Sequence, residues 1–420
     1  MINNCTPDIR FAGFTKDWEQ RKLGELIDIS SAARVHKNEW TTSGVRFFRS
    51  SDVVSNFNGK KNKPAFISYS LYDELSKKSG RLQPGDILVT GGGTIGIPYL
   101  ISDQEPLYFK DADLIWLKSA KKIDGYFLYY FFVTPQLRKH ISSITHIGTI
   151  SHYTIEQSKD TPIKLPERSE QTQIGIFFKQ LDDTIALYQQ ELNTLKQTKQ
   201  GFLQKMFPKE GESVPEVRFP GFTRNWEDSK LDSIVDRLKS YSLSRDIETS
   251  EYTGYKYIHY GDIHTKVADV IDESSNLPNI KAGNYELLEK GDLVIADASE
   301  DYQGIATPAV ITVDMPYKLV SGLHTIALRP KSKQVDSLFL YYLINSPIFR
   351  KYGYKAGTGM KVFGISVTNL LKFESMFPSL EEQLKIGKFL KHLDDTIALH
   401  QRELDALKET KKAFLQKMFA

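Results

Sequence analysis

The 420-residue chain has one cysteine, Cys5, so neither a disulfide framework nor a cysteine-based zinc site can be built, and a reducing compartment is expected. No apolar run approaches the length of a membrane span, and the opening MINNCTPDIRFAG has no signal-peptide core. The expectation is a soluble cytoplasmic protein with no membrane partner. There is no G-x-x-x-x-G-K-[ST] loop, no Ser/His/Asp or Cys/His grouping, and no Asn/Asp-Pro-Pro-aromatic tetrapeptide. Catalysis by this chain therefore has no support in its motifs. Charge excess is also scarce: 55 Lys and Arg against 52 Asp and Glu leave a net of +3, which neither demands nor excludes nucleic acid. The length suffices for two domains, each with its own core.

What is present is a repeat. Residues 181–207, LDDTIALYQQELNTLKQTKQGFLQKMF, align without a gap on residues 393–419, LDDTIALHQRELDALKETKKAFLQKMF, with 20 of 27 positions identical. In each copy apolar residues recur at steps of four and three: Leu181, Ile185, Tyr188, Leu192, Leu195, Phe202 and Met206, then Leu393, Ile397, Leu404, Leu407, Phe414 and Met418. That spacing makes one stripe of a helix, as in a coiled-coil seam, and the nearest partner for each stripe is the other copy. Lys199 and Lys411 interrupt both seams at the same step. The repeat extends outward. DIRFAGFTKDWEQRKL from Asp8 matches EVRFPGFTRNWEDSKL from Glu216, PGDILV from Pro84 resembles KGDLVI from Lys290, and FLYYFFVTPQLRK from Phe127 resembles FLYYLINSPIFRK from Phe339. The ends of the unit are nearly identical while its middle diverges, as expected of one scaffold carrying two different variable regions.

In chain order, residues 31–120 read as short strands (VRFFR, AFIS, DILVT, PYLIS, LIWLK) with turn residues between them. IDGYFLYYFFVTPQLRKHI predicts apolar helix with a break near Pro135, and a polar loop, HIGTISHYTIEQ, follows. Long helices are expected over about 169–206 and 380–418, each about 57 Å long. Ser379 is the expected N-cap of the second, with Glu382 closing a capping box. PKEGESVPEV is the linker between the halves.

Gly91, Gly93 and Gly96 spell G-x-G-x-x-G after a strand, with Asp111 twenty residues past Gly91. A dinucleotide site needs a helix to begin there, whereas IPYLIS predicts a strand, so a glycine turn is the preferred reading. His140, His146 and His152 have no metal-ligand spacing, and the pairs Asp182-Asp183 and Asp394-Asp395 read as the solvated or partner-facing side of the helices. Between Arg34 and Lys63, seven cations stand against two carboxylates, with Trp40, Phe47 and Phe48 among them; a phosphate-facing surface and a solvated loop both fit. His146–His152 and Ala356–Val362 are polar Gly-Thr loops at comparable places, where recognition commonly resides.

The two FxGFTxxWExxKL openings, the GDI/GDL strands, the PxxxEQ entries (Pro166–Gln171 and Pro378–Gln383) and the paired helices together resemble the specificity subunit of a type I restriction-modification system, over essentially the whole chain. The resemblance implies an α+β fold of two pseudo-symmetric repeats, each a mixed α/β target recognition domain followed by a long helix, the helices packing as an antiparallel coiled coil. The expected boundaries are 1–166 and 218–377 for the target recognition domains, 167–207 and 378–420 for the spacer helices, and 208–217 for the linker. It further implies that each domain reads one half of a split asymmetric sequence in double-stranded DNA and that the helices set the gap. Two methyltransferase subunits would dock, motor-nuclease subunits would join, and S-adenosylmethionine, ATP and magnesium would sit on those partners, with no cofactor or metal in this chain. Candidate DNA contacts are Arg46, Arg49, Ser51, Thr149, Ser151 and His152 in the first unit, and Lys256, His259, Tyr260, Thr358 and Lys361 in the second. The rival readings are an adaptor whose domains bind protein and a nucleotide-dependent enzyme using the glycine turn.

Overall fold

The computed structural model describes residues 6–110, 113–119, 122–145, 152–359 and 363–419. The chain forms two compact units, Met1–Gln189 with Arg402–Ala420, and Gln190–Gln401.

In the first unit a four-stranded antiparallel sheet runs in the order Asp28–Ser30, Leu114–Lys118, Ile87–Thr90, Pro98–Leu100. Its strands divide their residues between two cores by the period of two. Ile87, Val89, Ile115 and Leu117 face a core shared with Trp18, Phe127 and Phe178, while Leu88, Leu114 and Trp116 face one with Phe48, Val53 and Phe109. A smaller sheet, ordered Trp40–Thr41, Phe66–Ile67, Val45–Phe48, Leu107–Phe109, closes on a parallel pair. The second unit repeats the plan. Val235–Leu238, Thr325–Pro330, Leu293–Ala296, Pro308–Ile311 and Val270–Ile271 make its main sheet, and Lys318–Ser321 pairs in parallel with Tyr255–Ile258 in the smaller one.

The apolar stretch forms the helix Gly125–Val133, capped by Asp124, whose carboxylate accepts from the Tyr126 and Phe127 amides at 3.1 Å. It ends at Thr134, and Pro135 opens the next helix, Pro135–Thr145, giving the expected break. The sequence reading missed two helices among the strands. Ser50–Phe57 and Tyr69–Ser79 are short and weakly apolar, and the second is marked only by its Ser68 cap and by Gly80 at φ +91°.

The long helices run Arg168–Lys205 and Leu380–Lys417, 38 residues each. They touch within each unit. Phe177 meets Phe414 edge-on at 5.2 Å and Asp182 meets Lys411 in the first; Phe202 meets Phe389 at 4.9 Å and Lys199 meets Asp394 at 2.5 Å in the second. Numbering rises along one helix as it falls along the other, so the pairing is antiparallel. Of the seam residues, Leu192 and Leu404 are buried, while Leu181, Ile185, Leu195, Phe202, Leu393, Ile397, Leu407 and Phe414 are half-buried.

The PxxxEQ entries are junctions between helix and domain. Glu170 takes both Arg10 nitrogens at 2.9 and 2.7 Å, and Gln171 accepts the Asp124 amide at 3.0 Å while donating to the Pro166 carbonyl at 2.9 Å. Glu382 with Arg218, and Gln383 with Asp336 and Pro378, reproduce every one of these bonds. The expected capping box at Ser379 is therefore not closed. Ser379 Oγ accepts the Glu382 amide at 3.4 Å, but the Glu382 carboxylate, 1% exposed, is occupied by Arg218.

Candidate nucleic-acid interface

Two loop clusters, one per unit, are built on the same backbone plan. In the first, the strand ending at Phe48 leads into the helix Ser50–Phe57, where Asp52 accepts the Arg49 amide at 3.0 Å. The Asp52 carboxylate also holds the Arg49 guanidinium, through Nε at 2.7 Å, and that bond raises the Arg49 pKa above its ordinary value. A further Arg49 nitrogen donates to the Lys63 carbonyl at 2.8 Å, and the guanidinium lies 5.7 Å from the Trp40 ring. Arg46 stacks over Phe48 and Phe66 at 5.4 and 5.6 Å, and Ser51 is exposed, accepting from Asn62 at 3.2 Å. Lys60, Lys61 and Lys63 are exposed beside them. The structure thus ties up Arg49 and leaves the lysines facing solvent.

The glycine-rich turn is no phosphate loop, since the chain passes from Gly96 into the strand Pro98–Leu100 without beginning a helix. Gly91 is needed for close approach: a Cβ there would stand 2.8 Å from the Tyr153 carbonyl, and the Tyr153 amide donates to Gly91 O at 2.8 Å. This contact brings exposed His152 to the turn. A Cβ on Gly92 would lie 3.6 Å from both Asp113 Oδ1 and His152 Nδ1, so an imidazole and a carboxylate flank the same glycine. Thr149 and Ser151 lie outside the described residues.

In the second unit His259 holds the place of Arg49. Its amide donates to Asp262 at 2.9 Å and its Nδ1 accepts the Gly261 amide at 3.1 Å, so this residue, 7% exposed, is a helix cap. Burial, then the Arg245 charge, lower its pKa, against the opposing pull of Asp262 and Glu248. Lys256 is likewise engaged, with its ammonium donating to the Leu277 carbonyl at 2.5 Å under the Tyr317 ring, and burial lowers its pKa. Tyr260 is half-exposed, 4.4 Å from the His259 ring, 5.9 Å from His264 and 5.3 Å from His324. Thr358 is exposed and exchanges two backbone bonds of 2.9 Å with Gly364; Lys361 lies outside the described residues.

His324 and Asp297 escaped the sequence reading. Their rings and carboxylates meet, Nδ1 to Oδ1 at 3.2 Å, because the Asp297 amide donates to the His324 carbonyl at 3.0 Å. The only signal was position: both directly flank strands that the two units share. Among the described residues no group of three or more His, Cys, Asp or Glu is placed to hold a metal, and no helix is long and apolar enough to cross a membrane.

Comparison with known proteins agrees with this architecture. The chain is 23% identical over 427 residues to a protein assigned as the MjaX type I restriction enzyme specificity subunit of Methanocaldococcus jannaschii, covering 95% of this chain and 92% of that one. To the MjaVIII specificity subunit of the same organism it is 25% identical over 303 residues, covering 69% and 68%. The crystal structure of the type I restriction-modification system S subunit from M. genitalium superimposes with a TM-score of 0.59 over 99% of both chains at 17% identity, which speaks to the fold. The Type I restriction modification DNA specificity domain matches residues 15–197 and again 223–409, so the chain belongs to that family, as a two-domain specificity subunit, the non-catalytic component that determines the DNA target of a type I restriction-modification enzyme.

Proposed function

We propose that each unit reads one half of a bipartite, asymmetric target in double-stranded DNA, and that the paired long helices set the unread gap. The observation carrying this reading is the combination of one backbone plan used twice with unlike side chains at its loop clusters. Two readers of one design fit two half-sites, and unlike residues make the halves differ. Half-site separation is then a geometric property of the protein, as for other paired DNA readers. The expected domains, 1–166 and 218–377, are the readers, and 167–207 and 378–420 the spacer.

The helices also dock two copies of one methyltransferase subunit. Leu187 and Leu399 are equivalent residues of the two repeats and both are about half exposed, at 53% and 47%. Identity at exposed positions is not required by packing between the helices, and it fits the same partner met twice. Motor-nuclease subunits join this assembly in the cytoplasm, and S-adenosylmethionine, ATP and magnesium serve the partners.

Of the sequence candidates, Arg46, Ser51, His152, Tyr260 and Thr358 keep exposed or half-exposed side chains and are proposed DNA contacts, as are Thr149, Ser151 and Lys361. Arg49, His259 and Lys256 shape the loops that present them. The test is long-read methylation mapping after expressing the full chain with its cognate methyltransferase in a host lacking other modification systems. A two-part motif with a modified adenine on each strand is expected; absence of any motif from a formed complex returns the adaptor reading.

A further inference from the structure

The two units can be superposed bond by bond at their loop clusters. The Lys110 amide donates to Phe48 O at 2.8 Å as Gly322 does to Ile258 O at 2.9 Å. Gly91 donates to Asp113 O at 2.9 Å as Asp297 does to His324 O at 3.0 Å, and Tyr153 donates to Gly91 O at 2.8 Å as Ile365 does to Asp297 O at 2.9 Å. Equivalent positions are therefore Gly91 and Asp297, and Asp113 and His324. The backbone is held constant while the side chains change charge and shape.

We infer that Asp297 and His324 form the specificity-determining pair of the second unit, reading an exocyclic amino group (cytosine N4 or adenine N6) on a base edge in the major groove. The inference rests on the DNA-recognition reading above. An ionised carboxylate can only accept, so His324 Nδ1 carries the hydrogen of the 3.2 Å bond. Asp297 Oδ2 has no other partner among the described residues, so it is the oxygen left to accept from a base while His324 holds the carboxylate in place. A carboxylate oxygen suits an amino donor and repels the keto oxygens of guanine and thymine. Both side chains reach solvent, His324 at 50% and Asp297 at 33% exposure, and Tyr260, whose ring meets that of His324, lines a cleft of about 820 Å³.

His324 is also one of three non-glycine residues at positive φ among those described, at +55°, a conformation uncommon for residues other than glycine. Its ring meets the Asp297 carboxylate and stands nearly perpendicular to the Tyr260 ring, 5.3 Å away. Backbone strain of this kind persists where the surroundings hold a residue for use.

The test maps methylation for the full chain and for His324→Asn and Asp297→Asn, each with the cognate methyltransferase. Asparagine tolerates positive φ, so His324→Asn keeps the turn, and Asp297→Asn keeps the shape of the carboxylate. Both variants are expected to relax or change one base pair within one half of the motif, with discrimination there falling roughly tenfold or more, while the other half is unchanged. A wild-type motif kept in full by both variants, or definition lost evenly in both halves, overturns the assignment alone. A wild-type map without any two-part motif overturns the DNA-recognition reading and the assignment with it.

Discussion

Lys411, near the end of the second long helix, sets its ammonium on the carboxylate of Asp182 in the first, and Tyr130 donates its hydroxyl to that carboxylate at 2.7 Å. The second unit repeats the arrangement, with Lys199 on Asp394 at 2.5 Å and Tyr342 donating to Asp394 at 2.7 Å. Each lysine also lies over its tyrosine ring, at 5.4 and 5.6 Å. Burial, followed by the neighbouring aspartate, raises both tyrosine pKa values, so the hydroxyls stay donors. The interruption of each apolar seam is thus a point where a domain and two helices meet in a single register.

Coupling between Lys411 and Asp182 is therefore expected in a double-mutant cycle with Lys411→Met and Asp182→Asn. Both groups keep partial solvent access, so an interaction of about 0.5–1 kcal/mol is the expected size. Thermal unfolding of the four proteins measures it; strict additivity would show the contact to be idle.

Glycine at two equivalent helix positions is dictated by approach. A Cβ on Gly175 would stand 2.8 Å from Asp124 Oδ1 and the Tyr126 Cβ, and one on Gly387 would stand 2.8 Å from Asp336 Oδ1. Gly201, by contrast, has open space, and its counterpart in the second repeat is Ala413. Gly175→Ala and Gly387→Ala should each lower stability by about 1–3 kcal/mol through overpacking, while Gly201→Ala should raise it by about 0.5–1 kcal/mol through helix propensity. Calorimetry on the three variants separates the signs.

The Glu170 carboxylate is 1% exposed and bidentate with Arg10. Removing it alone leaves the part-buried guanidinium without its two charge-assisted bonds, so Glu170→Ala should cost about 1.5–3 kcal/mol. Replacing both residues with apolar ones of similar volume should cost much less. Chemical denaturation of the single and double variants checks the order.

His259 makes stability pH-dependent in a stated direction. Its folded pKa lies below the ordinary value, because burial and then Arg245 disfavour the charged ring, with Asp262 and Glu248 opposing. The unfolded chain then binds the proton more readily, so this contribution is present above the unfolded pKa, near 6.5, and is lost as pH falls below it. Protonation also removes the Nδ1 acceptor from the Gly261 amide. His259→Asn, which retains a capping oxygen, should show a smaller loss of melting temperature between pH 7.5 and 5.5 than the parent; equal losses would place the acid sensitivity elsewhere.

The exposed lysines of the first unit predict a salt signature. Replacing Lys60, Lys61 and Lys63 with glutamine should weaken DNA binding equally on matched and unrelated duplexes. The slope of log affinity against log salt should fall by roughly 0.9 for each phosphate contact removed. Titrations over a range of salt concentrations measure both.

The sequence alone settled what periodicity and repetition can express. Two closely matched seams implied two long helices and their mutual pairing, and the matched openings, GD strands and EQ entries implied one scaffold used twice. Apolar spacing is a local property, so Pro135 could mark its break and the strand Pro98–Leu100 could argue against a nucleotide loop without coordinates. Side-chain roles that depend on a distant partner were not legible. Lys411 looked like a seam defect until Asp182 and Tyr130 stood beside it, and Glu382 looked like half of a capping box until Arg218 occupied it. Arg49, His259 and Lys256 read as candidate DNA contacts, and the sequence did not show that Asp52, the Gly261 amide and the Leu277 carbonyl engage them. Only the tertiary structure brought Asp297 to His324, 27 residues away, because a backbone hydrogen bond between two strand ends, unmarked by any composition, decides which loops share a surface.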